Sequence, residues 1–166
     1  TNAMRLVSSE ADGLSGLIVD RYADVLVVQF LTLGMERMRE AVLAALEQVV
    51  PSKGIFERSD SSSRRLEGLE AKTGWLKQEC AGALEIFERD IVFQLELGEG
   101  HKTGFYLDQR ENRFLLRDLG LKGKVLDAFC YEGAFGLHLA RAGAHVLGID
   151  VQPESIERAK GHRQRN

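Results

Sequence analysis

The sequence predicts an α/β chain: a small α+β domain over residues 1–100, then a βαβ unit of a Rossmann-like parallel sheet over residues 101–166. Three observations predict it. Before residue 100 the β-rich runs come in adjacent pairs, as hairpins do, with one helical period between them. The apolar run Val125–Phe129 ends at a turn, and a helix opens at Gly133–Gly136. A second apolar run, Val146–Ile149, then ends at Asp150. Two strands joined through one helix close into a parallel pair by a right-handed crossover.

Taken in order, Leu17–Tyr22 and Val25–Leu31 are β-rich and flank Ala23-Asp24, which predicts a hairpin. Glu36–Val50 is helical, with Met35, Met38, Val42, Ala45, Leu46 and Val49 on one face as core. Pro51 and Ser52 end it. Gly54–Glu57 is the third strand. Residues 59–70, with Arg64 and Arg65 among serines, read as a solvated loop; a phosphate-contacting loop is the competing reading. Leu84–Glu88 and Ile91–Leu97 form another hairpin around Arg89-Asp90, and alternation buries Ile91, Phe93, Leu95 and Leu97. The order is strand-strand-helix-strand-strand-strand. Asp108 is placed as N-cap of the next helix, with Glu111 closing a capping box and Phe114, Leu115 and Leu119 as its apolar face. Gly120 and Gly123 lead into the βαβ unit, whose helix carries Phe135, Leu137, Leu139 and Ala140 inward.

Composition narrows the partners. Lys and Arg number 22 against 25 Asp and Glu, a net charge of −3, so RNA contact must come from local patches. Cys80 and Cys130 form neither a disulfide framework nor metal spacing, which fits a reducing cytoplasm and predicts no metal. No run reaches membrane length. A two-stranded parallel sheet cannot cover its faces or satisfy its edges, so the chain is expected to be an internal fragment. The open edge of Val125–Phe129 is expected either to pair with another chain, as in a homodimer, or to leave the region disordered.

The turn after the first βαβ strand lies where nucleotide-like ligands bind, and an acid ending the second strand suits ribose hydroxyls. The dinucleotide fingerprint needs glycine at 131, 133 and 136; Tyr131 replaces the first. That glycine brings a pyrophosphate onto the helix N-terminus. Asp127 adds negative charge by the turn and suits a cation better than a phosphate. S-adenosylmethionine, with an ammonium, a sulfonium and no phosphate, fits this pattern. Gly98–Gly104 is similar to a phosphate loop but has His101 where glycine must precede Lys102-Thr103.

GHKTGFYLDQREN (Gly100–Asn112) followed by VLDAFCYEGAFG (Val125–Gly136) resembles the class I methyltransferases that act on cytosine C5 of large-subunit (23S) ribosomal RNA. TNAMRL, EADGLSGLIVDRY and ERSD fit the same family, so the resemblance spans nearly the whole chain. It implies an RNA-binding PUA domain before Thr1, a central α+β domain, and the first two strands of a seven-stranded methyltransferase domain. It further implies that Phe129–Gly133 wraps the methionine part of the cofactor, that Asp150 takes the ribose hydroxyls, and that Val151 lies beside adenine. Tyr106, Gln109 and Arg110 would lie over the cofactor, and Asp127, Tyr131, Gly133 and Phe135 complete the cofactor set. The family's cysteine nucleophile, which attacks pyrimidine C6, would lie beyond Asn166, so no catalytic residue is expected here. The family usually has Ser at the position of Cys130 and Thr at that of Glu132.

The remaining polar residues have plainer readings. His138 and His145 are expected at the surface or as caps, and His162 in a charged helix end. His101 and Arg110 stay open as functional candidates, and Lys102 is read as solvated or paired surface charge. Two other functions remain: an NAD-dependent oxidoreductase domain, against which Tyr131 counts, and an RNA-binding or dimerisation module without catalysis.

Overall fold

A computed structural model describes residues 1–98, 100 and 102–166. His101, singled out above, lies outside the described residues. The chain forms two compact units: Thr1–Ile86 with Leu95–Phe105, and Phe87–Gln94 with Tyr106–Asn166.

The first unit is built on a five-stranded sheet, ordered β1 (Ala3–Ser8), β2 (Leu17–Tyr22), β3 (Val25–Phe30), β4 (Gly54–Ser59) and β5 (Lys72–Lys77). The predicted β2–β3 hairpin forms, with Leu17 opposite Phe30 and Tyr22 opposite Val25. β3 and β4 are parallel, as a crossover through helices requires. The other pairings are antiparallel. Leu17, Val19, Leu26, Val28, Phe30 and Ile55 pack against Met35 and Leu46.

Several expectations are corrected in this unit. β1 and β5 were not anticipated. β5 is an edge strand of sequence KTGWLK, with no buried residue and no apolar alternation to signal it. The helix after β3 breaks at Met38 into α1 (Leu33–Arg37) and α2 (Arg39–Val49). Thr32 caps α1 by accepting the Met35 N–H at 3.3 Å. The break rotates the buried face, so Met35, Val42, Leu43 and Leu46 point inward while Met38 and Val49 are exposed. The expected loop at 59–70 contains a short helix, α3 (Ser63–Leu66). Arg64 within it is buried, donating to the Phe30 and Glu70 carbonyls and to Glu36 at 3.0 Å. A serine-flanked arginine reads as surface in sequence; here two backbone carbonyls and Glu36 take hydrogen bonds from its guanidinium, while its Nη2 is buried without a partner.

The hairpin of β6 (Leu84–Glu88) and β7 (Ile91–Leu95) turns at Arg89, whose φ is 55°. Ile91, Phe93 and Leu95 are buried as predicted. In the second unit the 3-10 turn Leu107–Gln109 leads into α4 (Arg110–Asp118), followed by β8 (Gly123–Ala128), α5 (Ala134–Arg141), β9 (Ala144–Ile149) and α6 (Pro153–Arg165). β8 and β9 pair in parallel from Gly123 opposite Ala144 to Ala128 opposite Ile149.

Here too the details differ. α4 is capped by Gln109 with no side-chain cap bond, so the Asp108–Glu111 box does not form. Leu115 and Leu119 are exposed; Arg113 is the buried residue of this helix. On α5 the buried positions are His138 and Leu139, with Ala140 exposed. His138, expected at the surface, has no exposed area, and His162 is buried as well. Among the described histidines, only His145 is exposed as expected. Neither strand has a fully buried face: Val125, Asp127 and Val146 are partly buried and only Ala144 is buried, while Leu126 is 60% exposed and Leu147 64%.

Candidate cofactor site

β8 ends in a turn whose backbone lies three times in the left-handed region, at Phe129 (φ 62°), Tyr131 (φ 49°) and Gly133 (φ 75°). Left-handed conformations at non-glycine residues are uncommon and cluster at functional sites. Tyr131 thus makes the turn without the fingerprint glycine.

Two carboxylates hold the turn. Asp150, ending β9, accepts the Tyr131 N–H at 2.8 Å and the Gln152 N–H at 3.0 Å, one on each oxygen. Asp127 accepts the Gly136 N–H at 2.9 Å near the start of α5. Burial pushes the Asp127 carboxyl above its usual range, and the Gly136 hydrogen bond only partly opposes this. Gly136 is needed for this approach: a Cβ there would lie 3.1 Å from Asp127 Oδ2 and 3.2 Å from Val146. At Gly133 a Cβ would come within 3.1 Å of the Ala159 side chain on α6.

Around the turn, Tyr106 stacks edge to face on Tyr131, ring centres 5.4 Å apart. Burial, then Asp108 and Asp150, raise the Tyr106 hydroxyl pKa. Phe129 and Val151 are both 87% exposed, an apolar surface at the strand ends. Phe135 lies under the Arg113 guanidinium at 5.7 Å. The structure therefore brings together Tyr106, Tyr131, Asp150 and the Phe129–Gly133 turn. Gln109 and Arg110 bond locally, with Asn112 and Glu111 respectively.

Sequence reasoning missed the supports beneath the turn. Glu132 is buried, and one of its oxygens accepts from Arg158 at 2.7 Å. Its other oxygen is buried with no hydrogen-bond partner. His162 is 3.1 Å from the Glu132 carbonyl and bonds the Gln94 backbone. Arg113 forms a two-pronged pair with Glu88 at 2.5 and 2.7 Å, and donates to the Tyr106 carbonyl at 3.1 Å. His138 Nε2 also meets Glu88, at 3.1 Å. Burial pushes the Glu88 carboxyl up, but the His138 and Arg113 hydrogen bonds outweigh it and hold it below its usual range. These partners are distant in sequence, so spacing could not reveal them. Three or more His, Cys, Asp or Glu in metal-binding array do not occur among the described residues.

The turn follows the first strand of a parallel βαβ unit with an acid at each strand end, and known proteins are similar to the chain as follows. Residues 121–166 match a family model described as "Methyltransferase domain". The chain is 44% identical over 158 residues to Ribosomal RNA large subunit methyltransferase I of Shewanella amazonensis, covering 94% of this chain and 40% of that protein. The protein of the same name from Shewanella denitrificans is 45% identical over 159 residues, with the same coverage. The chain thus spans about 40% of the length of the curated relatives it matches. Among solved structures, a candidate SAM-dependent methyltransferase from Streptococcus mutans superposes with a TM-score of 0.84 at 28% identity, over 99% of this chain and 42% of that one. A structure matched equally well is described as complexed with SAH.

Proposed function

We propose that this chain is part of an S-adenosylmethionine-dependent methyltransferase that modifies cytosine C5 of 23S ribosomal RNA. The observation that carries the reading is the left-handed Phe129–Gly133 turn tied to Asp150 and flanked by Asp127. Two carboxylates beside a turn suit a ligand that brings a positive charge and no phosphate. The burial-raised Asp127 is the group such a cation would relieve. The residues therefore fit the cofactor, which supplies the methyl group.

In this reading Asp150, at the end of β9, accepts the ribose hydroxyls beside the turn it holds. Phe129 and Val151 offer the apolar surface for adenine. Tyr106 and Tyr131 wall the methionine end, with Asp127 and Gly133 at the helix start and Phe135 behind them. Gln109 and Arg110 border the site from the segment before α4. Neither cysteine serves as the nucleophile. Burial, then Asp127 and Asp150, push the Cys130 thiol pKa up, which disfavours the thiolate that such chemistry needs. The nucleophile is assigned to the part of the protein beyond Asn166, and the RNA-binding PUA domain to the part before Thr1. The β8 and β9 edges, unpaired with further strands among the described residues, are assigned to that continuing sheet or to a second copy.

Calorimetric titration with S-adenosylmethionine, with NAD as control, tests the reading. Binding of the methyl donor alone, lost in Asp150→Ala while circular dichroism still reports a folded chain, is expected. NAD binding in its place overturns the proposal.

A further inference from the structure

In the second unit three buried polar side chains meet: Glu88 at the end of β6, Arg113 on α4 and His138 on α5. Arg113 Nε and Nη2 each donate to one Glu88 oxygen, and His138 Nε2 shares the second of these oxygens. The cluster does not close on itself. Arg113 Nη2 also donates to the Tyr106 carbonyl at 3.1 Å. That carbonyl accepts the Gln109 N–H as well, at 3.2 Å, which closes the 3-10 turn. Two donors therefore hold the Tyr106 peptide from different directions.

The ring on that peptide stands edge to face on Tyr131, in the left-handed turn after β8. Tyr106 precedes the 3-10 turn at φ −85° and ψ 71°, outside helix and strand, so regular secondary structure does not set the direction of its ring. The Arg113 guanidinium also faces the Phe135 ring at 5.7 Å. Tyr106, Tyr131 and Phe135 are three of the residues assigned above to the cofactor. A cluster that served stability alone would need no bond to the backbone of one of them. Lysine could not replace the arginine here, because its ammonium is a point charge and lacks the planar fork that serves Glu88 and a carbonyl together.

We propose that Arg113, oriented by Glu88, is a positioning residue for the methyl donor: it holds the Tyr106 ring against Tyr131 and so shapes the wall at the donor's methionine end. The proposal rests on the function proposed above and deepens it. Arg113 acts through Tyr106 and does not touch the donor. A wall held in place before the donor arrives spares binding the entropy of ordering it.

The test is calorimetry with S-adenosylmethionine on the parent chain, Arg113→Lys, Tyr106→Ala and the double variant. Arg113→Lys keeps a cation beside Glu88 and is expected to weaken donor binding by about tenfold, the scale of one charge-assisted hydrogen bond. Added to Tyr106→Ala it should weaken binding no further, because an effect carried by the ring vanishes with the ring. A merely structural role would lower affinity in both backgrounds. Nuclear Overhauser effects between rings give a readout that needs no donor. The Tyr106–Tyr131 contact should weaken in Arg113→Lys, while Phe93–His162, with ring centres 5.3 Å apart, persists. Should Arg113→Lys fail to fold by circular dichroism, Glu88→Gln carries the same cycle, since an amide offers the fork one acceptor oxygen in place of two. Arg117→Gln, on the same helix and paired with Asp90, serves as control and should bind the donor as the parent does. The proposal is overturned if the folded variant binds like the parent, if its effect persists without the Tyr106 ring, if the Tyr106–Tyr131 contact is unchanged, or if Arg117→Gln weakens binding as much. A parent that binds no donor overturns the functional reading and this one with it. A parent that binds the donor, with Arg113→Lys binding equally well, overturns this one alone.

Discussion

In the first unit β3 and β4 are buried along their whole length, whereas in the second β8 and β9 leave Leu126, Leu147 and Ile149 about half exposed or more. Both units bury charge, Asp20, Glu57 and Arg64 in the first, but in the second fewer apolar side chains are buried beside it: Glu88, Arg113 and His138 meet one another, and Glu132 meets Arg158. The difference teaches what each part depends on. A core of Leu26, Val28 and Phe30 tolerates imperfect neighbours, because apolar burial has no direction. A buried ion cluster holds only while every partner is present, because one unpaired buried charge costs more than the pair contributes.

The largest expected effect tests that contrast. Glu88→Ala leaves Arg113 buried without its carboxylate and should destabilise the second unit by about 3–5 kcal/mol. Hydrogen exchange should show α4 and α5 losing protection while β2 and β3 keep theirs; uniform loss would erase the distinction. Leu26→Ala, fully buried in the first unit, should cost about 2–5 kcal/mol by denaturant titration, with exchange loss centred on the five-stranded sheet.

Acid sharpens the same comparison. A carboxyl whose folded pKa lies below its unfolded value stabilises the fold above the unfolded pKa, and that stability disappears as pH falls through the folded pKa. Glu88 is such a group, so the second unit should hold its contribution above the ordinary glutamate pKa of 4.5 and lose it as pH falls below that. Amide exchange followed down a pH series reads this directly; an unchanged α4 and α5 in the parent at acid pH would contradict it. Gly136→Ala should cost about 1–3 kcal/mol by crowding Asp127 and Val146, measured as a lowered denaturation midpoint. Smallest of all, Leu147→Thr on the exposed face of β9 should change stability by about 0.5 kcal/mol or less. A larger loss would mean that this face is covered in solution.

Periodicity made much of this legible. The β2–β3 hairpin, the buried alternation of β7 and the β8-α5-β9 succession follow from which residues are apolar and where turn formers stand. The acids at 127 and 150 follow from their places at the strand ends. Periodicity failed where burial was polar. Arg64, Arg113, His138 and His162 carry no apolar signal, and each is buried because carbonyls or carboxylates far away in sequence receive its hydrogen bonds. It failed also at Met38, where a local break turned the predicted helix face.

The sequence by itself determined the α/β class, the crossover unit and the chemistry of its turn, because these rest on local preferences and short spacings. Only the tertiary structure decided which charges lie inside, that Tyr106 meets Tyr131, and that Arg113 meets Glu88. Those juxtapositions join residues tens of positions apart, and no local rule couples them.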